Sequence, residues 1–492
     1  MSIMYRRVPS DSRFPGVIGP LTETEGNQWR EDMENWANGW TPTGSYIFPS
    51  TYVIASNVVG GVTYYSVSIA YQTVIGGSGN AGGVTGTDVV AVVQAAFDAL
   101  TNGGKIFFKI RVSGYDFGTN YLRVSYSNIH VDGEEGAYLK FSGAFSLVLG
   151  PVAGTSISNL VWCNVGLYNT KTDNTFTLIY IAKAEDIYFY NNWFRVDGGN
   201  VLSQGYFAKL TSTVDDTTKN INFFYNKFEH LGVTAYQISG LLIYRVNGLH
   251  VIGNTFVNVN DIIHSGVVGG EKHGLIYMGN NEYVTATTFH TEGHDVWDFH
   301  KVVWAGNVQY CSVDTGSWAS GGMLIEHDCE DWALSGNVFS NGITFTCATG
   351  VAPQRIRINN NVFRGRGAPT PYAFVFSDIV DTTPTDVCIE HNSISNFLSG
   401  YINWLGAGWT GYIKFHQNSG LISENWGSST GTGAQQIIPH GCSFEPTYAQ
   451  IMLSESSTGG ALPALTQAPS PTNIYVTATL NKTYNWRVTY NP

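Results

Sequence analysis

One pattern of apolar and polar residues recurs through the middle of the chain. Two apolar residues stand two positions apart, an asparagine follows three positions later, and an apolar residue usually closes the phrase, as in INFFYNKF, LHVIGNTF and WALSGNVF. The spacing between successive asparagines runs from 24 to 34 residues. Kelch and WD40 propellers have longer periods, of about 40–50 residues. The asparagines of the repeat are Asn192, Asn226, Asn254, Asn280, Asn307, Asn337, Asn361, Asn392 and Asn418.

This repeat predicts a solenoid of stacked β-strands. Alternation with period two indicates short strands that each bury one face. A unit this short cannot bury its apolar face alone, so neighbouring units must stack into a continuous core. A period of this length holds three short strands with their turns, which is a parallel β-helix. Each asparagine is predicted to end its strand in the left-handed conformation. Stacked asparagines are also predicted to hydrogen-bond along the solenoid as an amide ladder.

A helix precedes the first predicted coil. In TGTDVVAVVQAAFDALTNGG, Thr87 or Asp88 is placed to cap the start, and Gly103 and Gly104 follow the end. We expect this helix to cover the open end of the solenoid, where unpaired strand edges would otherwise invite association. The apolar stripe of the helix comprises Val89, Val93, Ala96, Phe97 and Leu100.

The remaining segments complete a four-part organisation. Residues 1–45 form a leader with a predicted helix over 22–38, and residues 46–82 a short β segment. Residues 83–425 form the parallel β-helix. Residues 426–492 alternate apolar and polar positions and are predicted to form a small C-terminal β-sandwich-like module. The fold class expected from the sequence is therefore all-β.

Composition and charge narrow the class of partner. The chain has 13% charged residues, 56 glycines and a formal net charge of −12. A hydrophobic content of 43% excludes wholesale disorder, and the acidic balance argues against nucleic acid as a partner. No apolar run reaches the length of a membrane span. Six scattered cysteines without a CxxC pair predict neither a disulfide framework nor a zinc site.

Aligning the repeats on their asparagines stacks polar residues from three consecutive coils. The positions nine and seven before the asparagine hold Glu271 and His273, then Asp298 and His300, then Asp328 and Glu330. Adjacent strands lie about 4.8 Å apart. Carboxylate pairs of glycosidases stand roughly 5–5.5 Å apart for retention and 6.5–9.5 Å apart for inversion. These six residues are the predicted catalytic set.

Other chemistries suit the same positions. Stacked carboxylates can bind calcium, the one cofactor the sequence allows for. A lyase would need a base, which Lys272, Lys301, His273 or His300 could supply. The positions could equally be solvated turns without a ligand. Three further residues are predicted to bind substrate: Trp318 from a loop, and Arg245 and Lys301 from the stack. Trp304 and Trp332 fall at inward repeat positions and are predicted to lie in the core.

The helix, the coil NIHVDGEEGAYLKF and the N-x-F turns resemble the pectate-lyase-like, right-handed parallel β-helix superfamily over residues 83–425. The tail, from IIPHG to TYNWRVTY, resembles β-modules of phage and archaeal-virus surface proteins. The whole layout is similar to that of viral tailspikes. This resemblance implies a homotrimer on a virion surface, or otherwise an extracellular protein, that binds and cleaves a polysaccharide or cell-surface glycan. A non-catalytic receptor-binding protein and a secreted pectinase-type enzyme are the alternatives.

Overall fold

The structure covers most of the chain in short ranges. In the computed structural model of the protein, the described residues are 51–59, 61–69, 85–151, 156–171, 176–197, 205–211, 218–231, 238–265, 272–284, 293–311, 322–347, 352–367, 372–377, 385–397, 402–404, 413–420, 424–440, 446, 448–455, 461–470 and 473–489. The predicted leader helix over 22–38 lies outside these residues. Among the described residues, no helix is both long enough and apolar enough to cross a membrane.

The chain divides into two compact units, Met1–His290 and Thr291–Pro492. In each unit, successive coils place their strands into three parallel sheets, here called sheets 1, 2 and 3. Each strand pairs with its counterpart one coil away, for example Ile157–Cys163 with Ala184–Tyr190 in the first unit. The predicted parallel β-solenoid is confirmed.

In the first unit, sheet 1 contains Thr51–Val59, Val62–Ile69, Thr85–Gly86, Gly104–Phe108, Ile129–Gly133, Ile157–Cys163, Ala184–Tyr190, Lys219–Phe224, Asn247–Ile252 and Lys272–Met278. Sheet 2 contains Tyr115–Asp116, Tyr138–Phe141, Gly166–Asn169, Trp193–Val196, Lys227–His230, Thr255–Val257 and Asn281–Val284. Sheet 3 contains Leu122–Val124, Phe145–Leu149, Thr177–Ala182, Gly205–Thr211, Ile238–Ile243 and Asn260–Ser265.

In the second unit, sheet 1 contains Phe299–Ala305, Glu330–Ser335, Gln354–Asn359, Thr385–Glu390 and Ile413–His416. Sheet 2 contains Val308–Cys311, Val338–Phe339, Val362–Gly367 and Ser393–Phe397. Sheet 3 contains His294–Trp297, Met323–Glu326, Ile343–Thr346, Phe374–Phe376 and Ile402–Trp404.

The helix expected before the first coil spans Val89–Asp98. Asp88 caps it, because its side chain accepts hydrogen bonds from the backbone N–H groups of Val90 at 2.9 Å and Ala91 at 3.3 Å. The apolar stripe is buried, and the Phe97 ring stacks on Trp162 of the solenoid with the ring centroids 6.2 Å apart. The predicted helix and its apolar face are therefore confirmed.

A hairpin extends sheet 1 at the start of the described chain. Thr51–Val59 pairs antiparallel with Val62–Ile69 and parallel with Gly104–Phe108. The second hairpin strand also pairs with Thr85–Gly86, immediately before the helix. The edge of the first coil strand, Gly104–Phe108, is thus covered by the hairpin, whereas the helix contacts Leu122–Val124 and Val62–Ile69. Only the helix was predicted to cover this end.

Stacked aromatic rings fill the solenoid interior. Phe189 and Phe223, from successive sheet 1 strands, lie with ring centroids 4.9 Å apart and planes 7° apart. In the second unit, Phe345 and Phe376 of sheet 3 repeat this arrangement at 5.0 Å and 7°. Equivalent inward positions in successive coils therefore carry rings that stack along the solenoid, which buries large apolar area with few polar groups.

The predicted asparagine ladder forms in both units. In the first unit, the backbone N–H and the side-chain Nδ2 of Asn192 both donate to Asn226 Oδ1, at 2.9 and 3.0 Å. Asn226 donates in the same way to Asn254, at 2.8 and 3.1 Å. Each side chain also reaches back to a carbonyl, as Asn226 Nδ2 does to Phe189 O at 3.0 Å. In the second unit, the ladder runs through Asn307, Asn337, Asn361, Asn392 and Asn418.

The conformation predicted for these asparagines is wrong by one position. The left-handed residue is the one before the ladder asparagine, which has a positive φ in each of these coils. The ladder side chain must point along the stack to reach its neighbour, so the preceding residue makes the turn. These left-handed residues are Asn191, Tyr225, Gly253, Gly279, Gly306, Gly336, Asn360, His391 and Gln417.

After the solenoid, the chain forms two small antiparallel sheets. One sheet contains Glu424–Thr430, Ile451–Glu455 and Thr483–Thr489, and the other contains Gln435–Pro439, Ala464–Gln467 and Asn473–Thr477. A 3₁₀ turn at Tyr448–Gln450 directly precedes the strand Ile451–Glu455. The Tyr484 hydroxyl donates to Gln436 Oε1 at 3.1 Å and so connects the two sheets. The domain boundaries drawn from the sequence stay predictions.

Removal of one ladder side chain should destabilise the solenoid. In Asn361→Ala, the backbone N–H and Nδ2 of Asn337 lose the acceptor that they share, at 3.0 and 2.8 Å. Leaving a buried donor unpaired costs about 1–3 kcal/mol, so with two donors we expect a loss of about 2–6 kcal/mol in the free energy of unfolding, measured with denaturant. Asn359→Ala, two residues earlier on the same strand, is the control and should change little. Equal stability of the two variants would contradict the role of the ladder.

Candidate functional site

The acidic residues of two consecutive coils in the second unit meet where the sheet 1 strands begin. His300 and Glu330 are register partners across adjacent strands, as the alignment of the repeats predicts. Two residues earlier, the backbone N–H of Asp328 donates to Asp298 Oδ1 at 3.3 Å. The two aspartates therefore stack as predicted. These four residues, together with His327, are called the acid cluster below.

Two imidazoles contact the carboxylates of the acid cluster. His300 lies between two of them, with Nε2 3.6 Å from Asp328 Oδ2 and Nδ1 3.7 Å from Glu330 Oε2. His327 Nδ1 lies 4.0 Å from Asp298 Oδ1. Each aspartate thus has its own histidine, which is the arrangement that general acid–base chemistry uses. His327 is not among the six residues predicted to be catalytic.

An arginine from the next coil holds the outer carboxylates. Arg355 Nε lies 2.6 Å from Asp331 Oδ1, and its terminal nitrogen contacts Glu330. The alignment of the repeats places uncharged Gln354 beside Glu330, so this role of Arg355 was not predicted. The register confirms the pairing of Glu330 with Gln354. The long arginine side chain reaches back from the neighbouring position.

The acid cluster is accessible to a ligand. Side-chain exposure is 42% for Asp328, 34% for Asp298 and 25% for Glu330. Trp297 adds an aromatic wall, because its half-buried ring lies 4.6 Å from the His327 ring, between centroids. The indole Nε1 of Trp297 donates to Asp295 Oδ1, which fixes the ring. A sugar ring could stack on an aromatic side chain held in this way.

The other predicted site residues are not part of the acid cluster. Lys301 is exposed on the strand that carries His300, with φ 59°. His273 and Arg245 belong to the first unit, where His273 pairs with Asn247 in sheet 1 and Arg245 is half-buried in a turn. Glu271 and Trp318 lie outside the described residues. The calcium expectation stays a prediction. The core assignment of two tryptophans is confirmed, since Trp304 and Trp332 are 0% and 1% exposed.

A second cluster of titratable side chains lies in the first unit. His130, Asp132 and Cys163 offer ligand atoms within 4.8 Å of one another, with His130 Nε2 3.3 Å from Cys163 Sγ. Burial lowers the pKa of His130 to about 4 and raises the pKa of the Cys163 thiol. Lys105 Nζ lies 3.3 Å from Asp132 Oδ2, where its charge opposes a cation. These features fit a neutral, buried thiol–imidazole pair, which no spacing or motif in the sequence predicts.

Comparison with known proteins gives structural likeness alone. No protein-family model and no curated protein match the chain. Among solved structures, it is similar to ORF18 of Geobacillus virus E2, with 12% identity, a TM-score of 0.43, and coverage of 80% of this chain and 73% of that one. A second is tailspike gp49 of Acinetobacter baumannii bacteriophage Fri1, a capsular polysaccharide depolymerase, with 11% identity, a TM-score of 0.41, and coverage of 82% and 83%.

A third similar structure is a mutant tailspike of E. coli bacteriophage HK620 in complex with a hexasaccharide. Its identity is 12%, its TM-score is 0.38, and coverage is 81% of this chain and 89% of that one. The chain is therefore structurally similar to phage tailspike proteins at very low identity. The described strand pairings establish the solenoid by themselves.

Buried histidines should make the stability of the protein depend on pH. Burial lowers the pKa of His130, His230 and His250 to about 4, from an ordinary value of 6.5. Between these values the unfolded chain binds more protons than the folded one, so stability is present above pH 6.5 and is lost as the pH falls towards 4. Unfolding free energies at pH 7.5 and 4.5 should show this loss.

Single substitutions test the cause of that loss. We expect His250→Gln to lose less stability than the parent between pH 7.5 and 4.5, by on the order of 1–2 kcal/mol. His416→Gln is the matched control, because His416 is exposed, and it should follow the parent. A parent protein whose stability does not change over this interval would contradict the assignment.

Proposed function

We propose that the protein binds a polysaccharide and hydrolyses a glycosidic bond at the acid cluster. The observation that carries this proposal is the contact of three carboxylates with two histidines on adjacent coils. In a chain with 13% charged residues, such a concentration of titratable groups is costly without a use, since stacked like charges repel each other. Exposure of the carboxylates and the neighbouring Trp297 support a ligand that carries sugar rings.

The spacing of the coils supports a displacement with retention. Asp298 and Asp328 belong to adjacent coils, which lie about 4.8 Å apart, and retaining glycosidases separate their carboxyl groups by roughly 5–5.5 Å. We assign Asp328, the more exposed of the two, as the nucleophile that forms a bond to the anomeric carbon. As the glycosidic bond breaks, protonated Asp298, beside His327, gives its proton to the leaving oxygen. Asp298 then takes a proton from a water molecule, which displaces Asp328 from the anomeric carbon.

Other residues position these groups. His300 lies between Asp328 and Glu330, and Arg355 neutralises Glu330 from the outer side. Glu330 therefore orients His300, which in turn contacts the nucleophile, as second-layer groups do in many active sites. Exposed Lys301 and the ring of Trp297 are the proposed substrate contacts beside the cluster.

A non-catalytic, glycan-binding surface protein is the second candidate. The observation in its favour is that each carboxylate of the acid cluster already has a histidine or arginine partner. Such a network can hold adjacent coils together without chemistry. A lyase at the same place would use Lys301 or His300 as base and would leave an unsaturated sugar, which absorbs ultraviolet light. A virion-surface or extracellular location and a trimeric assembly belong to the same proposal.

Amide substitution at the aspartates should abolish cleavage. Asp328→Asn and Asp298→Asn keep the size of the side chain but remove the nucleophile or the acid. We expect the rate of reducing-end release to fall by about 10²–10⁴-fold. The substrate is the polysaccharide that the parent cleaves fastest in a panel of acidic and neutral polymers.

The control is Asp386→Asn, an exposed carboxylate paired with Arg357 at 2.6 Å on another sheet 1 strand. It should keep the parental rate. Full activity in Asp328→Asn would show that the acid cluster is not the site. A parent that binds a polysaccharide of the panel but releases no reducing ends or unsaturated sugar would favour the non-catalytic protein.

A further inference from the structure

The outward face of sheet 2 in the first unit carries a second group of aromatic and charged side chains. On these strands the inward residues are apolar or buried, and every second residue points outward. Two neighbouring columns of outward side chains run along successive coils. One column is Tyr138, Gly166, Trp193 and Lys227, and the other is Lys140, Tyr168, Arg195 and Glu229. These eight residues are called the sheet 2 patch below.

Gly166 leaves a gap between two aromatic residues of the sheet 2 patch. It is the register partner of Tyr138, and the strand of Trp193 lies on its other side. A Cβ atom at this position would lie 3.1 Å from Tyr138 Cβ and 3.0 Å from the carbonyl oxygen of Trp193. A side chain at this position would therefore crowd the Tyr138 side chain and the Trp193 backbone. Tyr138 and Trp193 are two strand spacings apart, about 9.6 Å, and the glycine places no side chain between them.

Arg195 is held beside this gap by two rings. Its guanidinium carbon lies 4.8 Å from the Tyr168 ring centroid and 5.2 Å from that of Trp193. Such cation–π contacts fix a guanidinium without using its N–H donors. The Asp197 Oδ1 atom lies 4.0 Å from Arg195 Nε. That Nε is buried and, among the described residues, has no hydrogen-bond acceptor.

Neighbouring side chains fix Trp193 in turn. The indole Nε1 donates to Glu229 Oε2 at 3.0 Å, and the other oxygen of Glu229 lies 2.7 Å from Lys227 Nζ. Trp193 is nevertheless 44% exposed. The sheet 2 patch therefore presents an exposed ring with two cations near it: Lys227 Nζ, 5.4 Å from the ring centroid, and the guanidinium of Arg195, whose side chain is one-third exposed. Both groups are held in place before any ligand binds.

We propose that the sheet 2 patch is a binding site for a sugar that carries a carboxylate group. Aromatic rings pack against the C–H face of a pyranose, and a guanidinium with unused donors binds a carboxylate through two parallel hydrogen bonds. A neutral sugar offers hydroxyl acceptors but no pair of anionic oxygens that matches the planar guanidinium fork and its charge. The ligand class is therefore an acidic polysaccharide. The inference rests on the proposed function for its polysaccharide ligand but is separate from cleavage, because none of its residues belongs to the acid cluster.

Electrophoresis through native gels that contain polysaccharide tests this site. The probes are polygalacturonate, alginate, hyaluronan and polysialic acid, with dextran as the neutral polymer and dextran sulfate as a non-carboxylate polyanion. We expect at least one carboxylated polymer, and neither dextran, to retard the parent protein. After chemical reduction of its carboxylates to alcohols, the same polymer should bind the protein with at least tenfold lower affinity.

Substitutions then assign the binding to Arg195. Arg195→Gln should weaken the affinity for the retarding polymer at least tenfold, and Arg195→Lys should weaken it too, because an ammonium lacks the planar fork. Arg123→Gln is the matched control, since Arg123 lies 5.8 Å from the Tyr121 ring elsewhere in the first unit. Thermal unfolding of each variant confirms that the fold is intact.

Several results would overturn the proposal. One is that no carboxylated polymer retards the protein. Another is that the reduced polymer or dextran sulfate retards it equally. A third is that a folded Arg195→Gln variant keeps the parental affinity. The outcomes also separate the two proposals. Binding that depends on Arg195 in a protein that cleaves nothing contradicts only the hydrolysis. Cleavage lost in Asp328→Asn, with binding unchanged in Arg195→Gln, contradicts only the sheet 2 patch.

Discussion

The stack of asparagines is the constraint on which the rest of each unit depends. A ladder residue satisfies its own amide, the backbone N–H of its neighbour and a carbonyl of the previous coil, all at buried positions. Buried polar groups that are fully paired specify one arrangement, whereas a shift of one residue would leave several unpaired. Loops of different lengths can therefore separate the strands while the register between coils stays the same.

Because the register is fixed, residues at equal distances from the asparagine meet across coils. This is how His300 comes to face Glu330, and how Asp298 comes to accept a hydrogen bond from Asp328. The coil spacing of about 4.8 Å also sets the separation of the stacked carboxylates. A rigid solenoid thus supplies what a carboxylate pair needs, a fixed distance that does not depend on loops.

The protein has few charged side chains, so the places where they gather are informative. With few ionisable side chains in the protein, those that remain form contacts with one another, in the acid cluster and in the sheet 2 patch. The aromatic residues divide in a comparable way. Rings at inward positions stack in the core, as Phe189 and Phe223 do, while Trp193 and Trp297 remain accessible. The same repeat therefore builds the core from one face of each strand and candidate binding surfaces from the other.

The sequence by itself determined the solenoid, the capped helix, the asparagine ladder and the register that pairs His300 with Glu330. All of these follow from the local alternation of apolar and polar residues and from a repeated asparagine, and both patterns can be read from a single sequence. Tertiary structure alone decided which groups share a hydrogen bond or ion pair: Arg355 with Glu330, His327 with Asp298, and His130 with Cys163. Such contacts join residues about one coil apart in the chain, and their partners depend on side-chain length and direction, which no spacing in the sequence encodes.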